Sequence, residues 1–141
     1  MQKKLLLIVG LKIAGCTDNL MMIEDCDCGL DISSTLPYVN GSYEMEYNQD
    51  MAQTYTVLDA VTVCGWSQHL LWDTDYEYRI GSDWVSLVNP ASMTDDNGNA
   101  KVIFTAWKSF IDKTVMVYCG YTDDCGHHFL DSLNIKIVDN E

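Results

Sequence analysis

After residue 35 no stretch of the sequence sustains the 3.6-residue apolar period of an amphipathic helix, whereas period-two alternation recurs. That confines the body of the chain to strands. Ser42–Tyr47 (SYEMEY) puts Tyr43, Met45 and Tyr47 on one face and Glu44 and Glu46 on the other. Tyr76–Ile80 (YEYRI) and Leu133–Val138 (LNIKIV) alternate in the same way. Thr54–Cys64 (TYTVLDAVTVC) is rich in β-branched residues, which suit a pleated, half-buried surface. Trp84–Val88 is a short apolar run, and Lys101–Trp107 and Lys113–Tyr121 read as central, buried strands. His69–Asp73 (HLLWD) fits either a strand or a helical turn.

Turn signals separate these runs: Asn40-Gly41, Gly81-Ser82-Asp83, Asn89-Pro90 and Asp96-Asn97-Gly98-Asn99. About seven short strands with polar turns imply an all-β fold, an immunoglobulin-like β-sandwich over residues 36–141.

Charge narrows the partners. The chain carries 21 acidic residues against 8 basic ones, a net charge of −13. Such a surface repels nucleic acid and anionic headgroups, so no nucleic-acid partner is expected. Three of the basic residues, Lys3, Lys4 and Lys12, precede Cys16, and no acid does.

Residues 1–16 read MQKKLLLIVGLKIAGC. Lys3 and Lys4 precede an apolar run, Leu5–Leu11, which has the layout of a secretory signal and is too short to span a bilayer. Ile13-Ala14-Gly15-Cys16 resembles the lipobox of bacterial lipoproteins, a branched apolar residue and two small residues before a cysteine. The resemblance implies that residues 1–15 are removed and that Cys16 is lipidated, anchoring an exported protein to the cell envelope, at the outer membrane or cell surface. Lys12 departs from the pattern by placing a charge beside the motif. Residues 16–35 then read as the lipidated cysteine and an acidic, flexible tether.

Thr94-Asp95-Asp96-Asn97-Gly98-Asn99-Ala100 leads into an alternating strand. This stretch resembles the bacterial immunoglobulin-like domains of intimin- and invasin-type surface proteins, in which a T-D-x-N-G-x-A turn precedes a strand. Asn97-Gly98 would supply positive-φ positions, and Ala100 would leave room where the strand enters the core. Asp95, Asp96, Asn97 and Asn99 could offer oxygens to calcium, but the spacing is not that of an EF-hand, and a hairpin turn is the reading adopted.

Six cysteines remain to be explained. In sandwiches of the immunoglobulin type, positions like Cys64 and Cys119 on facing sheets are often joined, and a Cys64–Cys119 disulfide is expected here. The alternative is two reduced, buried cysteines. Of Cys26 and Cys28, one would bridge to Cys125 and the other would stay free or pair between chains. A competing reading makes Cys26, Cys28, Cys125, His127 and His128 a zinc or copper site, although C-x-C and C-G-H-H lack the C-x₂-C spacing of strong zinc motifs. The preferred reading needs no cofactor.

No catalytic motif is present: no G-x-S-x-G, no H-E-x-x-H and no phosphate-binding loop. Cys125 beside His127 would be a thiol–imidazole pair only in a reducing compartment. Trp84 and Trp107 are expected in the core, and Trp66 and Trp72, in irregular sequence, as candidates for an exposed contact with protein or carbohydrate. The expected function is therefore non-catalytic: a lipid-anchored protein with a binding, adhesion or structural role. Two alternatives stand beside it. One is a self-associating subunit of an extracellular filament or surface assembly, using SYEMEY as an unpaired edge. The other is a small metal-binding envelope protein.

Overall fold

The computed structural model describes residues 28–63, 67–76 and 85–140. Its elements in chain order are β1 (Leu30–Ser34), β2 (Tyr38–Val39), β3 (Ser42–Tyr47), β4 (Gln53–Thr62), β5 (His69–Thr74), β6 (Val85–Val88), β7 (Ala91–Met93), β8 (Asn99–Trp107), one 3₁₀ turn (Lys108–Phe110), β9 (Thr114–Thr122) and β10 (His128–Asp139). They form two sheets, β1-β4-β8-β6 and β2-β3-β10-β9-β5-β7. The two sheets pack as an immunoglobulin-like β-sandwich, the four-stranded one in the A-B-E-D order of that fold.

The core follows from the alternation. On β9, Val115, Val117, Cys119 and Tyr121 point inward, while Thr114, Met116 and Thr122 face water. On β10, Leu133, Ile135 and Ile137 do the same. From the facing sheet come Leu58 and Ala60 of β4 and Val102, Phe104 and Ala106 of β8, all nearly inaccessible. Burial of such side chains contributes roughly 1.5–3 kcal/mol each and is the main force joining the sheets.

Among the described strands, the pairings within each sheet are antiparallel except one. β3 runs parallel to β10, with Met45 opposite Ile137. β1 lies in the other sheet, against β4, with Ile32 opposite Ala60. The first strands of the domain thus divide between the sheets. Asp131 of β10 fastens this arrangement: its Oδ2 accepts the Ile32 N–H (2.8 Å), which points outward from the β1 edge.

Several expectations change here. Leu30–Ser34 is a strand, so the fold begins within the stretch read as tether. The reason is the Leu30/Ile32 alternation, hidden among acidic neighbours. HLLWD is β5, next to β9, and its Trp72 is 4% exposed, opposite Cys119, with its indole N–H donated to Ser92 Oγ (3.1 Å). Trp72 is therefore core and not a contact residue. Trp107 is half-buried, while Trp66 and Trp84 lie outside the described residues. SYEMEY is not an open edge along its length. β10 flanks it on one side; on the other, β2 pairs with Ser42 and Tyr43, and the Glu44 N–H donates to the Pro37 carbonyl (2.9 Å).

Candidate functional site

The chemistry-bearing residues gather where two turns close the strands. Thr94-Asp95-Asp96-Asn97-Gly98-Asn99 leads into β8, and Thr122-Asp123-Asp124-Cys125-Gly126-His127 joins β9 to β10. The two turns are the same structure. In the first, the Asp95 N–H donates to the Asn99 carbonyl (2.8 Å) and the Gly98 N–H to the Asp95 carbonyl (3.0 Å). Asp95 Oδ1 also accepts the N–H groups of Asn97 and Asn99, both at 2.9 Å. In the second, the Asp123 N–H donates to the His127 carbonyl (3.0 Å) and the Gly126 N–H to the Asp123 carbonyl (3.1 Å). Asp123 Oδ1 accepts the N–H groups of Cys125 (2.9 Å) and His127 (2.8 Å).

The first aspartate of each Asp-Asp-x-Gly string is the template, because its carboxylate satisfies two N–H groups that the tight turn leaves without strand partners. Gly98 and Gly126 take φ of +83° and +84°. Asn97 does not share that conformation, so the expectation of positive φ at both Asn97 and Gly98 holds for Gly98 only. Ala100 is buried where β8 enters the core, and Asp96 and Asn97 are exposed at the tip. Sequence reasoning noticed the first turn and missed the second. The signal was the repeated string Thr-Asp-Asp-x-Gly, with cysteine and histidine replacing the two asparagines.

At the second turn, the ligand atoms of Asp123, Cys125 and His127 lie within 4.8 Å of one another. His127 Nδ1 is 3.0 Å from Asp123 Oδ2. Burial alone would raise the pKa of Asp123, but the N–H and imidazole of His127 and the N–H of Cys125 outweigh it and hold the carboxyl below its ordinary value. His128 belongs to a different contact, its Nδ1 being 2.8 Å from Thr122 Oγ1.

The metal reading loses two of its three cysteine ligands in this arrangement, the third, Cys26, lying outside the described residues. Cys28 and Cys125 are disulfide-bonded, and a disulfide sulfur is not the thiolate that zinc or copper would take. Asp123 is engaged by its own turn, and His127 and His128 face different partners. Cys16, Cys26 and Cys64 lie outside the described residues.

Cys119 is a free thiol. The expected Cys64–Cys119 bridge is therefore absent, although β4 and β9 do lie on facing sheets as that expectation required. Cys119 sits in the inter-sheet core, fully buried, beside the strand that carries Trp72. Burial first, and the Asp131 carboxylate second, push its thiol up to about 12, so it stays protonated and unreactive.

One outer surface is more apolar than a solvated sheet needs to be. Ala91, Leu71, Gly120 and Leu130 form a row across β7, β5, β9 and β10. Leu71 and Leu130 are 66% and 74% exposed. A Cβ on Gly120 would lie 3.0 Å from the Phe129 carbonyl oxygen and 3.4 Å from Leu130 Cδ1, so the row is shallowest at its centre. Two residues along these strands, on the same face, come His69, with Met93 opposite it, and the paired Thr122 and His128.

No protein-family model matches the chain, and no curated protein is significantly similar to it.

Proposed function

We propose that this chain is an exported, lipid-anchored cell-envelope protein whose β-sandwich serves binding, adhesion or structural support and not catalysis. The observation that carries the reading is the oxidised state of Cys28 and Cys125. Disulfides persist in oxidising compartments and are rare in the cytosol. The signal-like layout of residues 1–15 and the lipobox-like Ile13-Ala14-Gly15-Cys16 agree with that compartment.

The electrostatics and the site chemistry support a non-catalytic role. The one free thiol among the described residues is buried and protonated, and the Asp123–His127 pair is taken up by its turn. The exposed row through Leu71 and Leu130 is the surface best suited to meet a partner, since clustered apolar exposure is what contact faces share.

Assembly through SYEMEY is less well supported, because β2 and β10 flank β3 and Asp131 caps the edge of β1. Sedimentation at high concentration separates the two readings; a discrete monomer favours the anchored single domain, and concentration-dependent growth favours the assembly.

The export reading is tested by feeding cells an alkyne-bearing fatty acid and fractionating them. Label on the membrane-associated protein, lost in Cys16→Ser, is expected. An unlabelled protein in the soluble cytosolic fraction refutes it.

A further inference from the structure

We propose that Asn40 is a site of spontaneous isoaspartate formation, and that Asn97, which stands in the same Asn-Gly dipeptide, is held back by its turn. The dipeptide occurs twice in the chain. It suits this reaction because glycine has no side chain to shield its nitrogen from the asparagine before it. The backbone nitrogen of the glycine gives up its proton and attacks the asparagine Cγ. An N–Cγ bond forms, the Cγ–Nδ2 bond breaks, and ammonia leaves with that proton. Water then opens the cyclic imide at either carbonyl, giving aspartate or isoaspartate. The whole change consumes one water and releases one ammonia, and needs no other reactant.

The surroundings separate the two sites. Gly98 is buried. Its N–H donates to the Asp95 carbonyl (3.0 Å), and its carbonyl accepts the Thr62 N–H (2.8 Å) and the Thr62 hydroxyl (3.3 Å). Asp95 Oδ1 accepts the Asn97 N–H (2.9 Å). To reach the Asn97 side chain, the Gly98 nitrogen must leave the Asp95 carbonyl, and turning the residue pulls on the bonds to buried Thr62.

Asn40-Gly41 meets none of these restraints. It joins β2 to β3, with φ of +50° and +89°, the positive values that a type I′ hairpin turn requires at both central positions. Both residues are exposed, and a Cβ on Gly41 would meet nothing within 4 Å. The Gly41 N–H has no hydrogen-bond partner among the described residues. The hairpin behind the turn is slight. β2 has two residues, Tyr38 and Val39, and they are 64% and 40% exposed. They pair with Tyr43 and Ser42, and the Tyr38 ring meets the Tyr43 ring edge-on (4.9 Å between centroids). An element with so little buried contact opens at small cost, so the geometry of attack is often visited at Asn40.

The product changes what β2 does. β2 covers the side of β3 that β10 does not. Isoaspartate puts one more carbon into the main chain of a turn that fits its strands only at its normal length. Val39 then no longer faces Ser42, and the Glu44 N–H loses the Pro37 carbonyl (2.9 Å). The outer edge of β3 is left open to a strand from another chain. Modification at Asn40 thus converts a guarded edge into an unguarded one with time.

Ageing the full protein in heavy-oxygen water at mildly alkaline pH, folded and in urea, tests this without any variant. Reduction and trypsin digestion follow, and cleavage after Arg79 and Lys101 puts Asn40 and Asn97 on different peptides. New carboxyl groups carry the heavy oxygen. In urea both sites should convert at similar rates, since neither turn survives. Folding should slow Asn97 by about a hundredfold or more, through the bonds of Gly98 to Asp95 and Thr62, and Asn40 by less than about tenfold. Retardation at Asn97 that is not at least about ten times that at Asn40 overturns the proposal, as does an Asn40 that stays unconverted in the folded protein. The Glu44 N–H should exchange with solvent faster in aged protein than in fresh protein, and equal rates refute the opening of β3.

Discussion

Gly98 and Gly126 form a controlled experiment within one molecule. Both occupy the same position of the same turn, with φ of +83° and +84° and matching hydrogen bonds to Asp95 and Asp123. Their surroundings differ. A Cβ at Gly126 would meet nothing within 4 Å, whereas one at Gly98 would lie 2.3 Å from the Thr62 carbonyl oxygen. Alanine in the left-handed conformation costs roughly 1–2 kcal/mol, offset by about 0.4–1 kcal/mol from the reduced freedom of the unfolded chain. Gly126→Ala should therefore destabilise by about 1 kcal/mol or less.

Gly98→Ala carries the same backbone cost and also pushes β8 from β4. The Gly98 carbonyl accepts both the Thr62 N–H (2.8 Å) and its hydroxyl (3.3 Å), and Thr62 is buried. Losing those bonds in a buried place adds roughly 1–3 kcal/mol for each group left unsatisfied, so the total should reach about 3–5 kcal/mol. Urea unfolding reads the difference directly. With a slope of about 1.5 kcal/mol/M, the midpoint should fall by about 0.5 M for Gly126→Ala and by about 2 M or more for Gly98→Ala. Equal shifts for the two variants would refute the reasoning, because backbone strain alone would then explain both.

Other outcomes follow from the same geometry. Asp131→Ala should expose the Ile32 N–H and speed hydrogen exchange in β1 while leaving β9 and β10 protected; uniform exchange would show that the carboxylate does not hold β1. Asp123 is held below its ordinary pKa, so its contribution is complete above about pH 4 and disappears as pH falls through its native value; Asp123→Asn should flatten that part of the acid-unfolding curve, and an unchanged curve would count against the turn as its cause. The Cys119 thiol of the unfolded chain ionises near pH 8.5, and that of the native protein only at about 12, so stability should fall as pH rises above about 8.5, and a thiol reagent should label Cys119 only after denaturation; rapid labelling of native protein would contradict its burial. Leu71→Ser with Leu130→Ser should change stability by only about 0.5 kcal/mol per site and lower retention on a hydrophobic column; a large loss of stability would mean that the row is covered within the fold.

The strands that alternate strictly were legible in the sequence. Tyr43, Met45 and Tyr47, or Leu133, Ile135 and Ile137, can face a core only at period two, and the structure puts them there. β5 was harder, because Leu70, Leu71 and Trp72 are consecutive apolar residues and Leu71 is left in water. β1 was hidden by composition, since its two inward residues lie in a stretch with five acids. The site was legible only in part. The asparagine-glycine turn announced itself, but its twin carries Cys125 and His127, residue types that suggest a metal before they suggest a turn. Cys119 lies on a strand of the sheet facing β4, as expected, yet whether a cysteine there is bridged depends on distances between sheets, which a sequence does not contain.

The most direct test of an anchored, disulfide-stapled sandwich is the intact mass of protein extracted from membranes without reductant. The expected species begins at Cys16, carries acyl chains there, weighs two hydrogens less than the reduced chain for each disulfide that engages Cys28 and Cys125, and keeps Cys119 as a thiol. A chain that retains Met1, carries no lipid and has six free thiols would contradict both the address and the staple.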